Sequence, residues 1–231
     1  MDMHSWTPVT DDNSVLALKY SFGFGTANSV AARLDDGSWL VVSPAVNLPD
    51  VCFNTLLKQG PVSALVAPNA FHHLGQSEWR AKFSNAVSYA PENALNRLAK
   101  KASSIAFEPL ANLRPKFGGR FELVVPLGMK AADCLVRIGT PTGNVWFVGD
   151  LISNTVPDDV SFLPRLLFGL LGGGPGYRFN PVPAMMYLKD KPTWQADVRA
   201  RFQAAPPTVI VPAHGLPITA DAAGLTQKIL T

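Results

Sequence analysis

The stretch Val62-Ser-Ala-Leu-Val-Ala-Pro-Asn-Ala-Phe-His72-His73-Leu-Gly75 places an apolar strand just before two adjacent histidines. Residues 62–67 are nearly all apolar, which is typical of a strand that is buried on both faces. Pro68 ends the strand because proline has no N–H to donate to a neighbouring strand. His72 and His73 therefore fall in a loop at a strand end, where rigid scaffolds often hold functional side chains.

Two further side chains that can bind a metal ion also lie shortly after apolar strands. Asp150 follows the apolar run 144–148 after one glycine, and His214 follows the run 208–211. Each feature alone has a structural explanation, such as a solvated pair of histidines, a Gly-Asp turn or a histidine that caps a turn. Imidazole and carboxylate together suit Zn, Fe or Mn. The shared placement after apolar strands favours a common metal site.

The rest of the chain alternates β-rich runs with helical ones. Strands are expected at 14–22, 28–34, 39–43, 86–90, 105–107, 121–125 and 133–138, besides the three runs above, and helices at 48–59, 76–83, 91–101, 193–203 and 220–230. The segment 158–187 is rich in proline and glycine, and we expect irregular structure there. Two sheets covered by outer helices form one of the few available layer arrangements. We therefore predict an α+β fold in a single domain, 1–231.

Composition and charge narrow the class of protein. The chain is 47% hydrophobic and 16% charged, as globular proteins are. A net charge of +3 without a basic stripe argues against a nucleic-acid partner. The longest apolar stretch, 162–174, is shorter than the roughly 20 residues of a membrane-spanning helix, and the first residues do not resemble a signal peptide. We expect a cytoplasmic protein without membrane contact, whose partner is a small molecule.

The two cysteines, Cys52 and Cys134, are far apart in the sequence. No Cys-x-x-Cys motif is present, which excludes a zinc ribbon. We expect both to be buried as small apolar residues. A disulfide between them stays an alternative.

Over nearly its whole length the chain resembles the metallo-β-lactamase superfamily, and more narrowly a branch with the motif Pro68-Asn-Ala-Phe-His-His73. The superfamily's bridging aspartate ends a strand that reads Phe-x-Gly-Asp, as Phe147-Val-Gly-Asp150 does here. Its last histidine lies in a Pro-Gly-His-Gly-like turn, which Pro212-Ala-His214-Gly215 matches. The resemblance implies a four-layer αββα sandwich and metal-dependent hydrolysis.

The first motif departs from the superfamily's His-x-His-x-Asp-His. Pro68 and Ala70 stand at the first two histidine positions, His72 at the aspartate position, and no histidine lies near 127–129, where a third is expected. In the superfamily, these three histidines bind one of two metal ions. That metal position therefore lacks its ligands in this chain. The resemblance implies one Zn, Fe or Mn ion at most, or none. The ligands that it implies are His72, His73, Asp150 and His214.

Two functions remain open. In the first, the protein is a mononuclear hydrolase whose catalytic centre includes Asp150 and His72, and metal-activated water attacks an ester, a thioester or a related bond. In the second, it is an inactive binding or regulatory module, which the missing metal position favours. The fold does not fix the substrate.

The apolar segment 162–177 also has more than one interpretation. Its side chains would cover the site as a lid and make the pocket apolar, or they would complete the core. Contact with a membrane or a partner is a third interpretation.

Overall fold

The computed structural model describes residues 1–230, without the side chain of Phe168; the last residue of the predicted domain, 231, lies outside that range. The strands are β1 (Thr7–Pro8), β2 (Val15–Ser21), β3 (Thr26–Arg33), β4 (Trp39–Val42), β5 (Val62–Val66), β6 (Val87–Ala90), β7 (Phe107–Pro109), β8 (Phe121–Val124), β9 (Leu135–Thr140), β10 (Gly143–Phe147), β11 (Ile152–Thr155), β12 (Gly176–Phe179) and β13 (Pro207–Val211). The α-helices are α1 (Asp50–Leu57), α2 (Gln76–Lys82), α3 (Glu92–Lys101), α4 (Phe162–Leu170), α5 (Pro181–Tyr187), α6 (Lys191–Ala204) and α7 (Ala222–Ile229). Short 3-10 helices lie at Leu110–Asn112, Arg114–Lys116 and Pro157–Asp159.

Two sheets form the centre of the fold. The larger sheet contains β1 to β7 in chain order, antiparallel as far as β4 and parallel from β4 to β7. The smaller sheet has the order β13-β10-β9-β8, and its β10 and β13 are parallel. Strands β11 and β12 form a separate two-stranded ribbon.

The larger sheet is buried on both faces, as its apolar runs predict. Successive side chains of a strand point to opposite faces. In β2, Val15 and Ala17 belong to the core that lies between the two sheets, whereas Leu16 and Leu18 belong to the core beneath the outer helices.

Three apolar cores show four stacked layers. The central core contains side chains from β2 to β5 and from β8, β9, β10 and β13. Outside the larger sheet, Phe53 of α1 and Trp79 of α2 belong to the second core. Outside the smaller sheet, Trp194 and Phe202 of α6 share the third core with Trp146 of β10. Full burial of an apolar side chain of this size contributes roughly 1.5–3 kcal/mol. The αββα prediction is confirmed.

Pairs of neighbouring parallel strands bring the loops that carry the candidate metal ligands to one edge of the fold. Strands β4 and β5 are parallel, as are β10 and β13, so each pair has its carboxyl ends together. Hydrogen bonds join the two sheets there: the N–H of Cys134 donates to the carbonyl of Pro68 at 2.9 Å, and the N–H of Asn28 donates to the carbonyl of Ala213 at 2.8 Å. The loops after β5, β10 and β13 therefore meet.

The expectation of irregular structure over 158–187 is wrong, because the segment contains α4, β12 and α5. Pro164 lies in the first turn of α4, and Pro181 and Pro183 lie in the first turn of α5. The first N–H groups of a helix have no partner within the helix, so proline is tolerated there. Asn180 caps α5 by accepting the N–H of Val182 at 3.2 Å.

Other differences from the sequence-based expectation are small. The strand expected at 105–107 begins at its last residue, and β1, β11 and β12 were not predicted. Cys52 and Cys134 are buried and free, as expected. Within residues 1–230, no helix is long and apolar enough to cross a membrane.

Candidate metal centre

Three of the four predicted ligands meet in one group. His72 follows β5, Asp150 follows β10, and His214 follows β13. Nε2 of His72 lies 2.9 Å from Oδ1 of Asp150, and Nε2 of His214 lies 3.2 Å from the same oxygen. Histidine, cysteine, aspartate and glutamate side chains can bind a metal ion. Among the described residues, this is the one group of three such side chains whose donor atoms all lie within 4.8 Å of one another.

His73, the fourth predicted ligand, lies outside this group. Its Nδ1 is 3.1 Å from the carbonyl oxygen of Ala70, and its half-buried ring lines the adjoining cavity. Burial lowers the pKa of His73, so its ring is neutral near pH 7. No donor atom of His73 belongs to the group of atoms within 4.8 Å of one another, although His73 lines the same cavity as Asp150 and His214. His73 as a ligand stays a prediction.

Asn69 and Ser43 fix the position of His72. Oδ1 of Asn69 accepts the N–H of Phe71 at 2.8 Å and that of His72 at 3.2 Å, a local turn that asparagine commonly stabilises. Oγ of Ser43 lies 2.7 Å from Nδ1 of His72 and 3.3 Å from the hydroxyl of Tyr20. Ser43 has a φ of 54°, a left-handed conformation that costs a non-glycine residue about 1–2 kcal/mol.

Ser43, His72 and Asp150 form a continuous chain of the residue types that serine hydrolases use. The Ser43 side chain is nevertheless 0% exposed and is not part of the cavity wall. A nucleophile must contact its substrate. Ser43 is therefore a positioning residue that orients the ring of His72.

The surroundings of His214 determine its tautomer. Its Nδ1 lies 2.7 Å from the carbonyl oxygen of Thr26, which can only accept a hydrogen bond, so Nδ1 carries a proton. In the neutral ring, Nε2 then directs a lone pair at Oδ1 of Asp150, which also presents lone pairs. Either a proton on Nε2 or a cation between the two atoms removes this repulsion. Metal-ligating histidines almost always donate their other N–H in this way.

The two carboxylate oxygens of Asp150 have different contacts: Oδ2 accepts hydrogen bonds, and Oδ1 faces His72 and His214. Oδ2 accepts from Nδ2 of Asn69 at 3.0 Å and from the hydroxyl of Tyr187 at 2.9 Å. Burial by itself would raise the pKa of Asp150, but His72 and His214 hold that pKa well below its usual value. Burial by itself would lower the pKa of His214, but its hydrogen bond to Asp150 raises it. Asp150 is therefore ionised, as a metal ligand must be.

A second buried carboxyl group, Asp133, holds the backbone of the Asp150 loop. Its Oδ2 accepts the N–H groups of Asp150 at 2.8 Å and Leu151 at 3.3 Å, and its Oδ1 accepts from Asn69 at 3.0 Å. Burial first, and then the charge of Asp150, raise the pKa of Asp133 to about 8. Gly149 has a φ of 63°, and a Cβ atom there would overlap the Asp133 carboxyl group. Position 149 therefore requires glycine.

Sequence reasoning missed three residues of this network. Asn69 lies inside the opening motif, and an asparagine just before a loop is a usable signal for a turn. Asp133 precedes the apolar strand β9, so a buried carboxyl group could have been suspected. Tyr187 had no signal, because it lies in the segment that was expected to be irregular.

The ligand group lies in the wall of a cavity of about 440 Å³, within the size range of small-molecule sites. Most of the lining is apolar, and Arg165 of α4 is the one lysine or arginine among the described lining residues. The apolar lining side chains include Phe22, Phe24, Phe71, Val160, Val182 and Met186.

The segment 162–177 contributes only part of this wall. Arg165, Gly173, Gly174 and Pro175 line the cavity. The leucine and phenylalanine side chains at 162, 163, 166, 167 and 170 are exposed instead. For these side chains, both the lid interpretation and the core interpretation are wrong. The apolar character of the cavity arises from other residues.

Comparison with known proteins gives the fold. No protein-family model and no curated protein matches the sequence. Among solved structures, the DIM-1 metallo-β-lactamase exposed to ceftazidime superposes with a TM-score of 0.60 at 13% identity, over 99% of this chain and 97% of that one. TMB-1, studied for substrate and inhibitor binding, gives a TM-score of 0.58 at 11% identity, over 100% of this chain and 98% of that one. The chain has the metallo-β-lactamase fold.

Proposed function

We propose that the protein is a metal-dependent hydrolase that holds a single Zn, Fe or Mn ion between His72, Asp150 and His214. The observation that carries the proposal is the convergence of these side chains in the wall of a largely apolar cavity. An ion bound there supplies Lewis acidity and lowers the pKa of water toward about 7. The substrate is an ester, a thioester or a related compound.

The donor set and its surroundings suit such an ion. Two imidazole nitrogens and one carboxylate oxygen leave coordination positions for water and substrate, which a catalytic site needs. Each ligand is held from its far side: His214 by the carbonyl of Thr26, His72 by Ser43, and Asp150 by Tyr187 and Asn69. Groups of this kind orient metal ligands and raise affinity.

Residues that support the metal ligands and residues of the cavity wall have further roles. Tyr187 and Asn69 bind Oδ2 of Asp150, so Oδ1 is directed at the histidines. The apolar wall binds the acyl part of a substrate and excludes bulk water, which strengthens the electrostatic interactions of the site. Arg165 donates to the carbonyl of Pro157 at 2.9 Å and keeps further N–H groups for an anionic substrate group.

A binding or regulatory module is the second candidate. It is favoured by the hydrogen bonds between the ligands themselves, because His72 and protonated His214 both complete their contacts on Asp150 without an ion. Pro68 and Ala70, which cannot ligate, also stand where the superfamily motif has histidines. In this case the cavity binds an apolar ligand and releases it unchanged.

Elemental analysis of tag-free protein, purified without chelators, distinguishes the two. A hydrolase is expected to contain close to one ion per chain and to cleave p-nitrophenyl acyl esters or acyl thioesters. His214→Ala and Asp150→Asn should lose both properties. His4→Asn is the matched control, since it removes a histidine outside the cavity at a φ of 58°, which asparagine tolerates.

Two results would contradict the proposal of a hydrolase with a single metal ion. A stoichiometry near two would mean that further ligands exist. No bound metal after reconstitution with Zn, Fe and Mn, together with tight binding of a hydrophobic fluorescent probe and no turnover, would establish the binding module instead.

A further inference from the structure

Helix α4 exposes one continuous apolar face. Its large apolar side chains at 162, 163, 166, 167 and 170 are between 53% and 78% exposed. On a helical wheel, these positions fall within an arc of about 140°. Pro164 and Arg165 lie outside this arc and are less exposed. Since monomeric soluble proteins rarely expose large continuous apolar patches, this face indicates a partner.

Further exposed apolar residues lie in the cavity wall or next to its residues in the sequence. Phe24, Leu74 and Met186 are exposed and also line the cavity. Met185 of α5 and Leu171, directly after α4, are exposed as well. We call these five exposed residues the apolar rim. The N–H of Ser161, directly before α4, donates to the carbonyl of Phe24 at 3.0 Å, so α4 begins beside this rim.

The sequence around this face carries positive charge. From 160 to 188 it contains two arginines, Arg165 and Arg178, and no acidic residue. Asp158 and Asp159 precede this segment, and Asp159 is paired with Lys19.

Two further basic side chains lie close by, one against a rim residue and one against a residue of the cavity wall. Nζ of Lys130 donates to the carbonyl oxygen of Met185 at 2.8 Å. The guanidinium group of Arg97 lies 4.1 Å from the ring centre of Phe71, which is in the cavity wall. Each basic residue near an anionic lipid surface contributes about 1 kcal/mol to binding.

The chemistry of the face favours a lipid surface over a protein. A protein interface usually has about one hydrogen bond per 100–200 Å² and a polar rim. The five side chains of the α4 arc are one phenylalanine and four leucines, which neither donate nor accept hydrogen bonds. A short helix with apolar residues on one face and basic groups around it can lie in the plane of a bilayer surface.

We infer that α4 and the apolar rim of the cavity form a docking surface for an anionic lipid bilayer. The leucine face enters the boundary between head groups and acyl chains, and the basic side chains contact the lipid phosphates. Docking of this kind needs no membrane-spanning helix. It departs from the sequence-based expectation of a protein without membrane contact and follows the third interpretation of the segment 162–177. The docked cavity opens toward the lipid, where an acyl compound can enter it.

Co-sedimentation with phosphatidylcholine vesicles, with and without phosphatidylglycerol, tests this surface. The wild-type protein is expected to bind the anionic vesicles, and the Leu163→Ser/Leu167→Ser/Leu170→Ser variant to bind them about tenfold more weakly or worse. Val51→Ser/Leu57→Ser is the matched control, because these side chains are 64% and 56% exposed on α1 and should not affect binding. All these residues are exposed, so the melting temperature should remain close to that of the wild type.

Three outcomes would overturn the inference. Wild-type protein that does not sediment with anionic vesicles contradicts it, and so does a serine variant that binds as well as the wild type. A lipid-free dimer in analytical ultracentrifugation that the serine variant dissociates would make this face a self-association surface. Because the readout is vesicle binding, the result does not depend on whether the protein is a hydrolase.

Discussion

The hydroxyl of Tyr187 donates a hydrogen bond of 2.9 Å to Oδ2 of Asp150, although the two residues lie 37 positions apart. Tyr187 ends α5, and Asp150 follows β10. The ring of Tyr187 also packs against Phe71 in an edge-on contact, with the ring centres 6.0 Å apart. Helix α5 therefore contributes both to the cavity wall and to the orientation of a candidate metal ligand.

Tyr187→Phe should weaken metal binding with little change of fold. The phenyl ring keeps the contact with Phe71, but Oδ2 of Asp150 retains only Asn69 as a donor. Loss of such a supporting hydrogen bond typically reduces metal affinity by about 10–100-fold. Competition with a chromogenic chelator measures this change.

Tyr177→Phe is the control for this prediction, since the hydroxyl of Tyr177 lies 2.6 Å from Thr226 and away from Asp150. Equal affinities of the Tyr187→Phe and Tyr177→Phe variants would show that the hydroxyl of Tyr187 does not support the site.

His72→Ala and His73→Ala should differ strongly, although the two residues are adjacent. Nε2 of His72 is part of the ligand group, whereas Nδ1 of His73 faces the carbonyl of Ala70. We expect His72→Ala to lower metal affinity by about 100-fold or more, beyond the loss of a supporting group, and His73→Ala to change it by less than about tenfold. Titration of the apo-proteins with Zn measures both. Comparable losses would restore His73 as a ligand.

Much of the fold could be predicted because apolar periodicity is a local property of the sequence. The runs at 62–67, 144–148 and 208–211 predicted strands with functional loops after them, and the structure has strands there. Helices α4 and α5 were missed because proline in a first turn resembles a loop in composition. Tertiary packing decides such cases, and a sequence pattern does not show it.

The sequence predicted which loops form the site, but not which side chain of a loop contacts the others. His72, His73, Asp150 and His214 were proposed because each follows an apolar strand, and the structure brings three of them, His72, Asp150 and His214, into one group. The choice between His72 and His73 depends on how Asn69 turns the backbone. The support from Asp133 depends on a contact that the fold creates between β9 and the loop after β10. Such contacts appear only when the chain is folded.

Gly149→Ala should destabilise the protein and disturb the site together. The left-handed φ of 63° costs a non-glycine residue about 1–2 kcal/mol, and a new Cβ atom would overlap the Asp133 carboxyl group, which adds about 1–3 kcal/mol. We expect the free energy of unfolding to fall by about 2–5 kcal/mol in urea titrations.

Gly37→Ala separates the backbone cost from the cost of the overlap with Asp133. Gly37 has a φ of 81°, and a Cβ atom there would meet nothing within 4 Å. It should show the backbone cost alone. If Gly149→Ala is no less stable than Gly37→Ala, then Asp133 does not pack against position 149 as described.

Asp159→Asn should weaken the attachment of α4 in a way that depends on pH. The Asp159 side chain is only 1% exposed and is paired with Lys19, and it also accepts from the hydroxyl of Thr26 at 2.9 Å and the N–H of Val156 at 2.8 Å. Burial by itself would raise the pKa of Asp159, but Lys19 and the hydrogen bonds hold it below its usual value. A carboxyl group with a lowered folded-state pKa stabilises the protein fully above its unfolded-state pKa, near 3.9, and that contribution disappears as the pH falls through the folded-state pKa.

The stability difference between the wild type and Asp159→Asn should therefore be about 3 kcal/mol at pH 7, as for other broken buried pairs, and should shrink below about pH 4. Urea titrations between neutral and acidic pH measure it, with the exposed Asp158→Asn as the control. The N–H of Ser161 donates to the carbonyl of Phe24 at 3.0 Å beside this pair, so proteolysis near α4 should also become faster in the variant. A difference that stays constant down to pH 3, or one as small as that of Asp158→Asn, would mean that the pairing with Lys19 does not hold the base of α4.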